Sequence, residues 1–566
     1  MSIPPTPLTP CAVTDANQSS PRPTQRRTKV EGSPTWAPEH YAKSVYSFAN
    51  STGLFHGEGY ANLGRFLSRP FDPSDRHPDH SDSTQQALGR PPVLYKWPTT
   101  SSRTKLCLGT IDDLAQFDPQ SVENNSGALV FLGGYQSPEW LNAVGAAFHL
   151  DPAVLDEHLE YRAPFARRDL YTSPSLPSTV DGLVKLRYFT IGVREHSAHT
   201  AKRGNVSVLR TQANDDMDRY LIHLYEERDV KPGDSIARRY HVHSPRIYSI
   251  EQQITIGIQR SAGGGWLGVT LTDSGCDREH GLIGPWRATS TAISSWDGLL
   301  PIVMRSPKIA LRWQHFNTEG HRNEPGLAHL QENYGSSLDP RIMANDPFYA
   351  MTELMQFAAF SICQLLNMID SITPRATLAA TMEANNYDIS DLSYHKQLLD
   401  EVAQTLRENV KVIDQRGSET WPKAKDIKQR AKADRIAASL LADYRELQHR
   451  NQDLIKRCHN QMKIIMNQGT IAETQRSLEQ AGKVTLLTRL AFMFVPLTFS
   501  TSFFGMNVSV FGQGTASLWL WFAITGPLML VAFMFLMWST CASSIQGTVG
   551  IVRKLKRQKF STGTWV

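Results

Sequence analysis

The period of apolar and polar residues changes along this chain, and each change predicts a different element. Ala128-Leu-Val-Phe-Leu132 is a continuous apolar run closed by Gly133-Gly134, the pattern of a strand buried on both faces. Leu183–Ile191 alternates, and Arg246–Ile256, Trp266–Leu271 and Ile309–Trp313 are rich in β-branched and aromatic residues, so four further strands are predicted. Gly263-Gly264-Gly265 falls between two of them and reads as a hairpin turn. It lacks the Lys-Ser/Thr that follows a phosphate-binding loop, which argues against a nucleotide site. Ser137-Pro138-Glu139 and Asp151-Pro152 carry a capping side chain and a first-turn proline, so helices start there, the second running toward His158.

Beyond Leu338 the period becomes helical. Asp346-Pro347 opens a helix whose buried face is Met351, Leu354, Phe357, Ala358, Ile362, Leu365 and Ile369, ended by Pro374. A second helix covers Asp391–Val412. From Lys423 to Val495 there is no proline, and Leu440, Tyr444, Leu447, Leu454, Cys458, Met462 and Ile465 form one narrow stripe on an otherwise charged surface. A long helix with such a stripe requires partner helices, from its own chain or from copies of it.

The pattern changes once more at the end. Ala516–Trp538 is 23 residues without a charge, and Leu490–Phe504 is 15, extended backward by Val484–Thr488 with Arg489 interrupting. Twenty-three helical residues rise about 34 Å, enough for a hydrocarbon core of about 30 Å. Both stretches are predicted as membrane helices, because backbone groups in lipid must bond internally. The basic tail, with Arg553, Lys554, Lys556, Arg557 and Lys559, and the charged stalk place both termini in the cytosol and the uncharged loop outside.

Composition narrows the class. A chain of 566 residues exceeds one core. Its net charge of +5 is too small to argue for nucleic acid. Six scattered cysteines without a CxxC pair fit reduced thiols rather than a disulfide frame. The N-terminus has no apolar core of a cleavable signal. No nucleophile-base or metal-ligand constellation stands out in residues 105–422, so no enzyme is expected. His77 and His80, among aspartates, lack a ligand spacing, and His241-x-His243 reads as loop or surface histidines. Arg26-Arg27-Thr28-Lys29 reads as part of a solvated tail.

Candidate chemistry gathers at the first span. Val484, Leu487, Ala491, Val495, Thr498 and Ser502 recur at steps of three and four residues, giving apolar rings inward of two hydroxyl rings. Spacing alone leaves two uses open, lining a pore or packing on the second span. Two helices cannot enclose a polar path, so a channel made of this chain is an oligomer with the path on its axis. Arg489 lies about 140° round the helix from Val484 and points to headgroups or another helix. Gly505-Met506-Asn507 ends the first span; a ring of Asn507 amide carbonyls suits the waters of a hydrated divalent cation, since magnesium sheds its waters reluctantly. An asparagine there is otherwise a helix C-cap.

Pro496-Leu497-Thr498-Phe499 stands nine residues before Gly505-Met506-Asn507 at a helix end, with a long stalk before it and a second span and basic tail after it. In this combination the chain resembles the CorA superfamily of divalent-cation channels. Leu132-Gly133-Gly134-Tyr135-x-Ser137-Pro138-Glu139-Trp140-Leu141 is similar to the cytosolic part of divergent fungal members. The resemblance implies a homopentamer lined by the first span, with Gly505, Met506 and Asn507 as the outer selectivity ring. It implies a Thr498 hydroxyl ring below them and Val495, Leu487 and Val484 at hydrophobic gate positions. The family's acidic regulatory position nearest the membrane falls at Thr470, with Glu473 one turn on as the candidate, and the outer loop lacks the acidic residues many members carry.

The expected fold class is an α+β cytosolic domain with a long stalk helix and two C-terminal transmembrane helices. The expected order is a disordered tail (1–36), an irregular linker (37–104), the α/β domain (105–337), its helical part (338–422), stalk (423–483), first span (484–504), outer loop (505–515), second span (516–538) and basic tail (539–566). The expected function is passive transport of Mg2+ across the plasma membrane, with lipids and its own copies as partners and no cofactor. Zn2+ as cargo, and a transport-inactive membrane scaffold, are the rival readings.

Overall fold

The computed structural model describes residues 36–51, 57–72, 91–98, 103–162, 182–193, 206–275, 282, 284–286, 299–304, 326–373, 389–506, 519, 521–535 and 537–538. The predicted strand Ile309–Trp313, His77, His80, the N-terminal tail and Asn507 lie outside them. The chain divides into two compact units. One joins Met1–Thr373 to Leu398–Asp453, the other Pro374–Gln397 to Leu454–Val566.

The first unit is built on a seven-stranded sheet of β1 (Val93–Trp97), β2 (Thr104–Cys107), β3 (Gly127–Gly133), β4 (Leu183–Val193), β5 (Arg239–Val242), β6 (Ile247–Arg260) and β7 (Trp266–Thr272), in the order β2-β1-β3-β7-β6-β4 with β5 also paired to β6. Only β3 and β7 run parallel, with Ala128 opposite Leu267 and Leu132 opposite Leu271. The apolar run at 128–132 therefore sits in the middle of the sheet, where both faces need cover. Ala128, Val130 and Leu132 join a core with α1 (Pro38–Ala49), α2 (Glu58–Ser68), α4 (Pro138–Phe148), α5 (Pro152–His158) and α6 (Val206–Glu226). A short helix, α3 (Ile111–Ala115), closes that side under a Thr110–Asp113 capping box.

The opposite face of the sheet carries an aromatic layer. Phe131 meets Tyr334 edge-on at 4.7 Å between ring centroids, and Trp97 stacks on Trp266 at 5.6 Å. It is covered by α7 (Gly326–Glu332), α8 (Pro340–Asn345) and α9 (Pro347–Ile372). Trp266 Nε1 donates to the Met343 carbonyl at 3.0 Å, and Ser361 Oγ both accepts from Phe189 N at 2.6 Å and donates to its carbonyl at 2.9 Å. The β6–β7 hairpin turns at the predicted glycines. Gly264 has φ +91°, and a Cβ there would stand 2.4 Å from Asn124 Oδ1, so this turn requires glycine.

Capping follows the sequence reading in part. Asp151 accepts from Ala153 N and Asp346 from Tyr349 N, whereas Ser137 occupies the cap of α4 without a side-chain bond. α10 (Ile389–Gln415) extends beyond the predicted Asp391–Val412. Within the first unit α9, α10 and α11 (Ile427–Met506) bond to one another. Tyr444 Oη donates to the Met355 carbonyl at 2.9 Å and Asn451 Nδ2 to the Leu399 carbonyl at 2.9 Å. The predicted stripe is the buried one: Leu440, Tyr444, Leu447, Leu454 and Cys458 are buried, and Met462 and Ile465 half-buried. Partners from the chain itself therefore cover its first half.

Two expectations are corrected. The described parts of residues 37–104 are not an irregular linker: they hold α1, α2 and β1, folded because Tyr41, Ala42, Val45, Leu63, Phe66 and Leu67 complete the helical side of the core. His241 is not a loop or surface residue but lies within β5, and His243, in the turn that follows β5, is buried rather than at the surface. Pairing of β5 with β6 buries His241, whose Nε2 lies 3.4 Å from Glu251 Oε2, and the turn between them buries His243, whose Nε2 lies 2.8 Å from Ser249 Oγ.

Candidate ion pathway and the buried polar network

α11 changes character along its length. From Met466 to Val495 every residue is exposed, although the sequence turns apolar at Val484. The helix contains a window long and apolar enough to cross a membrane, of which only 6% is buried. The core helix of a soluble protein would hide that surface; here it is left for lipid or for other copies. A second, shorter apolar helix, α12 (Trp521–Phe535), follows, and exposed Trp519 and Trp538 stand at either side of it. Their separation in sequence corresponds to about 28 Å of helix, close to a hydrocarbon thickness, with indoles where headgroups would lie.

Val484, Leu487 and Val495 are 62%, 70% and 62% exposed, and Ala491, Thr498 and Ser502 are exposed as well. All six share one face of α11. Gly505 and Met506 form its last turn, and their side chains lie outside the described residues with Asn507. Only the last turns of the opposite face are covered. Pro496 and Leu497 are half-buried, and Ser500 is 3% exposed, about 170° round the helix from the centre of the exposed stripe. Thr498 Oγ1 donates toward the Phe494 and Val495 carbonyls, both at 3.0 Å, and Thr501 Oγ1 toward those of Leu497 and Thr498. Each hydroxyl proton is thus used within the helix, leaving its oxygen lone pairs as outward acceptors. Pro496 withholds the N–H that the Phe492 carbonyl would receive, yet the helix continues.

Glu473 is exposed, and Thr470 Oγ1 donates to the Met466 carbonyl at 3.0 Å. Arg489 is exposed. Among the described residues no group of three or more His, Cys, Asp or Glu side chains is arranged to hold a metal ion. Sequence reasoning missed Ser500 and, on α12, Thr525, which is 5% exposed with no partner for Oγ1. Neither stands out in sequence, because a hydroxyl in a span carries no periodic signal of its own.

It also missed a polar network inside the sheet unit. Arg238 binds Asp273 in a bidentate pair, Nε to Oδ2 at 2.6 Å and Nη2 to Oδ1 at 3.0 Å, and its Nη2 donates to the His158 carbonyl at 2.7 Å. Asp273 Oδ2 also accepts from Gln253 N at 2.6 Å. His158 Nδ1 lies 3.0 Å from Thr255 Oγ1, which accepts from Gln253 Nε2 at 2.8 Å, so the threonine proton goes to the imidazole. Burial, with Arg238 adding to it, holds the His158 pKa well below its ordinary value, so the ring is neutral. Burial pushes the Asp273 carboxyl upward against the pull of Arg238. Glu251 is the reverse case: burial raises it, but His241, Arg187 and Arg239 together bring it down to about 2. Threonine, histidine and aspartate stand in the order of a nucleophile triad, but all three are sealed in the core and no substrate reaches them. The network joins α5 to β6 and β7.

A family model described as CorA-like Mg2+ transporter protein matches residues 345–538, from the cap of α9 to the end of the second apolar stretch. No curated protein matches the chain.

Proposed function

The chain belongs to the CorA superfamily through residues 345–538, and from that premise we propose that it is a divalent-cation channel that passes Mg2+ down its electrochemical gradient. The pore is a homopentamer with both termini in the cytosol, in the plasma membrane. The first span lines it, with Val484, Leu487, Ala491 and Val495 as apolar gate rings and Thr498 and Ser502 as hydroxyl rings. Gly505, Met506 and Asn507 form the outer filter, where amide carbonyls receive the waters of a hydrated ion.

One observation carries the reading. Apart from Pro496, Leu497 and Ser500, every described residue of α11 from Val484 to Ser502 is exposed, which leaves this apolar stretch for lipid or for other copies of the chain. Glu473 is the candidate for a regulatory contact.

The test is Mg2+ uptake in a strain lacking its own uptake systems. Asn507→Ala is expected to abolish it, and unchanged flux would sink the pore reading in favour of a membrane scaffold. In liposomes, Mg2+ flux is expected to exceed Zn2+ flux; the reverse order makes zinc the cargo.

A further inference from the structure

Two helices of the sheet unit each carry a second, exposed stripe. α6 is buried along Ala213, Met217, Tyr220 and Leu224. About 160° round it, Val208, Thr211, Asp215, Asp218, Ile222 and Tyr225 are all exposed, at steps of three and four residues. A stripe of that spacing is a further packing face, apolar at both ends and acidic at its centre. The start of α11 repeats the arrangement. It is buried along Ala433, Ala437, Leu440 and Tyr444, and about 150° away Ile427, Ala431, Arg435, Ala438 and Ala442 are exposed. Ile427 is 84% exposed, more than any other large apolar side chain among the described residues, those of the spans included.

We propose that these stripes are the two halves of one contact between copies of the chain, α6 of one copy lying against the start of α11 of the next. Their lengths match: Val208 to Tyr225 rises about 26 Å and Ile427 to Ala442 about 23 Å. Their charges match as well. Arg435 lies about 12 Å from Ile427, and Asp215 and Asp218 lie about 10–15 Å from either end of the α6 stripe, so the guanidinium meets the carboxylates whichever way the helices run. The alanines beside Arg435 let the backbones approach, and Ile427 falls level with Val208 or Tyr225. Neighbouring charges are used inside the chain, Asp216 by Arg219, Lys432 by Asp339 and Asp434 by Arg416. Among the described residues Asp215, Asp218 and Arg435 form no ion pair. An anionic membrane would satisfy Arg435 but be repelled by Asp215 and Asp218, whereas a second copy satisfies both stripes. Because the two faces differ, the contact is head-to-tail, the kind that closes a ring. It deepens the pore reading and rests on it for the number of copies alone.

The contact is tested in the full chain in phosphatidylcholine membranes. Asp218→Cys/Arg435→Cys is oxidised beside the two single variants. A disulfide ladder rising above the dimer is expected in the double variant alone. No excess over the single variants, a bridge within one chain, or a ladder that stops at the dimer overturns the contact. A ladder lost when phosphatidylglycerol replaces phosphatidylcholine assigns Arg435 to lipid and overturns it as well. For the charges, Ile222→Cys is combined with Ala431→Cys and with Ala442→Cys, which are level with it in antiparallel and parallel helices respectively. In whichever pair bridges, Arg435→Glu is expected to slow bridging about threefold or more, the scale of exposed ion pairs, and adding Asp215→Lys/Asp218→Lys to restore the rate. Bridging of neither pair, or an unchanged rate in Arg435→Glu, overturns the pairing of the stripes. A failure of Asn507→Ala to alter flux, with the ladder still forming, counts against the pore reading alone.

Discussion

Asp273→Ala is the most informative perturbation of the soluble unit. The carboxylate is fully buried and accepts three hydrogen bonds, two from Arg238 and one from the Gln253 amide. Truncation leaves a guanidinium whose side chain is only 10% exposed without its counter-charge. Breaking a buried pair from one side costs about 3–5 kcal/mol. Arg238 keeps its bond to the His158 carbonyl and its place over the Tyr161 ring, so the lower end applies, about 3 kcal/mol. At about 2.1 cal/mol/K of unfolding entropy per residue, a unit of this size shifts by roughly 1–2 °C per kcal/mol, so the apparent melting temperature of the detergent-solubilised chain should fall by roughly 3–6 °C. Arg238→Met/Asp273→Leu removes both charges and should recover most of the loss, because well-packed apolar residues replace a buried pair at little cost. A melt of Asp273→Ala within about 1 °C of wild type, or a double variant at the sum of its singles, would refute the account of the pair as one unit.

Two further predictions concern the same unit. The fold keeps His158 neutral while the unfolded chain takes up a proton below about pH 6.5, so its contribution to stability is complete above that pH and is lost as pH falls further. Melting curves between pH 7 and 5 should slope downward toward acid, and His158→Gln should flatten that slope whatever it does to the midpoint; an unchanged slope excludes His158 as its source. Arg416, at φ +54°, closes α10 and pairs with Asp346 at 2.6 Å and with Asp434 of α11. Arg416→Ala should lower stability by more than Arg416→Gly, because glycine relieves about 1–2 kcal/mol of left-handed strain that alanine retains. Equal melting temperatures would show that the backbone there carries none.

The long apolar helix near the end of the chain was legible in sequence, because length and composition along one chain are enough to mark a candidate for crossing hydrocarbon. The charge-free runs, the apolar stripe and the Gly505-Met506-Asn507 ending need no tertiary information, and the same holds for the narrow stripe of the long helix. The buried strand at 128–132 was legible for a related reason: a strand covered on both faces has no polar alternation to confuse it. The segment 37–104 was misread because α1 and α2 are short and carry their apolar residues among prolines, histidines and serines. Only docking on α4 shows those residues to be core.

Polar residues were the other failure. His241, His243, His158 and Asp273 are hydrophilic letters in sequence, and nothing local says that their partners lie on other strands. By itself the sequence determined which parts of this protein are long and apolar enough to enter a membrane and which helix face repeats, since those follow from neighbours along one chain. Only the tertiary structure decided which polar groups are buried in pairs, and that Ser500 is buried in a stretch of α11 otherwise almost wholly exposed. Burial is set by what other elements bring against a residue, and no periodicity within one helix records it.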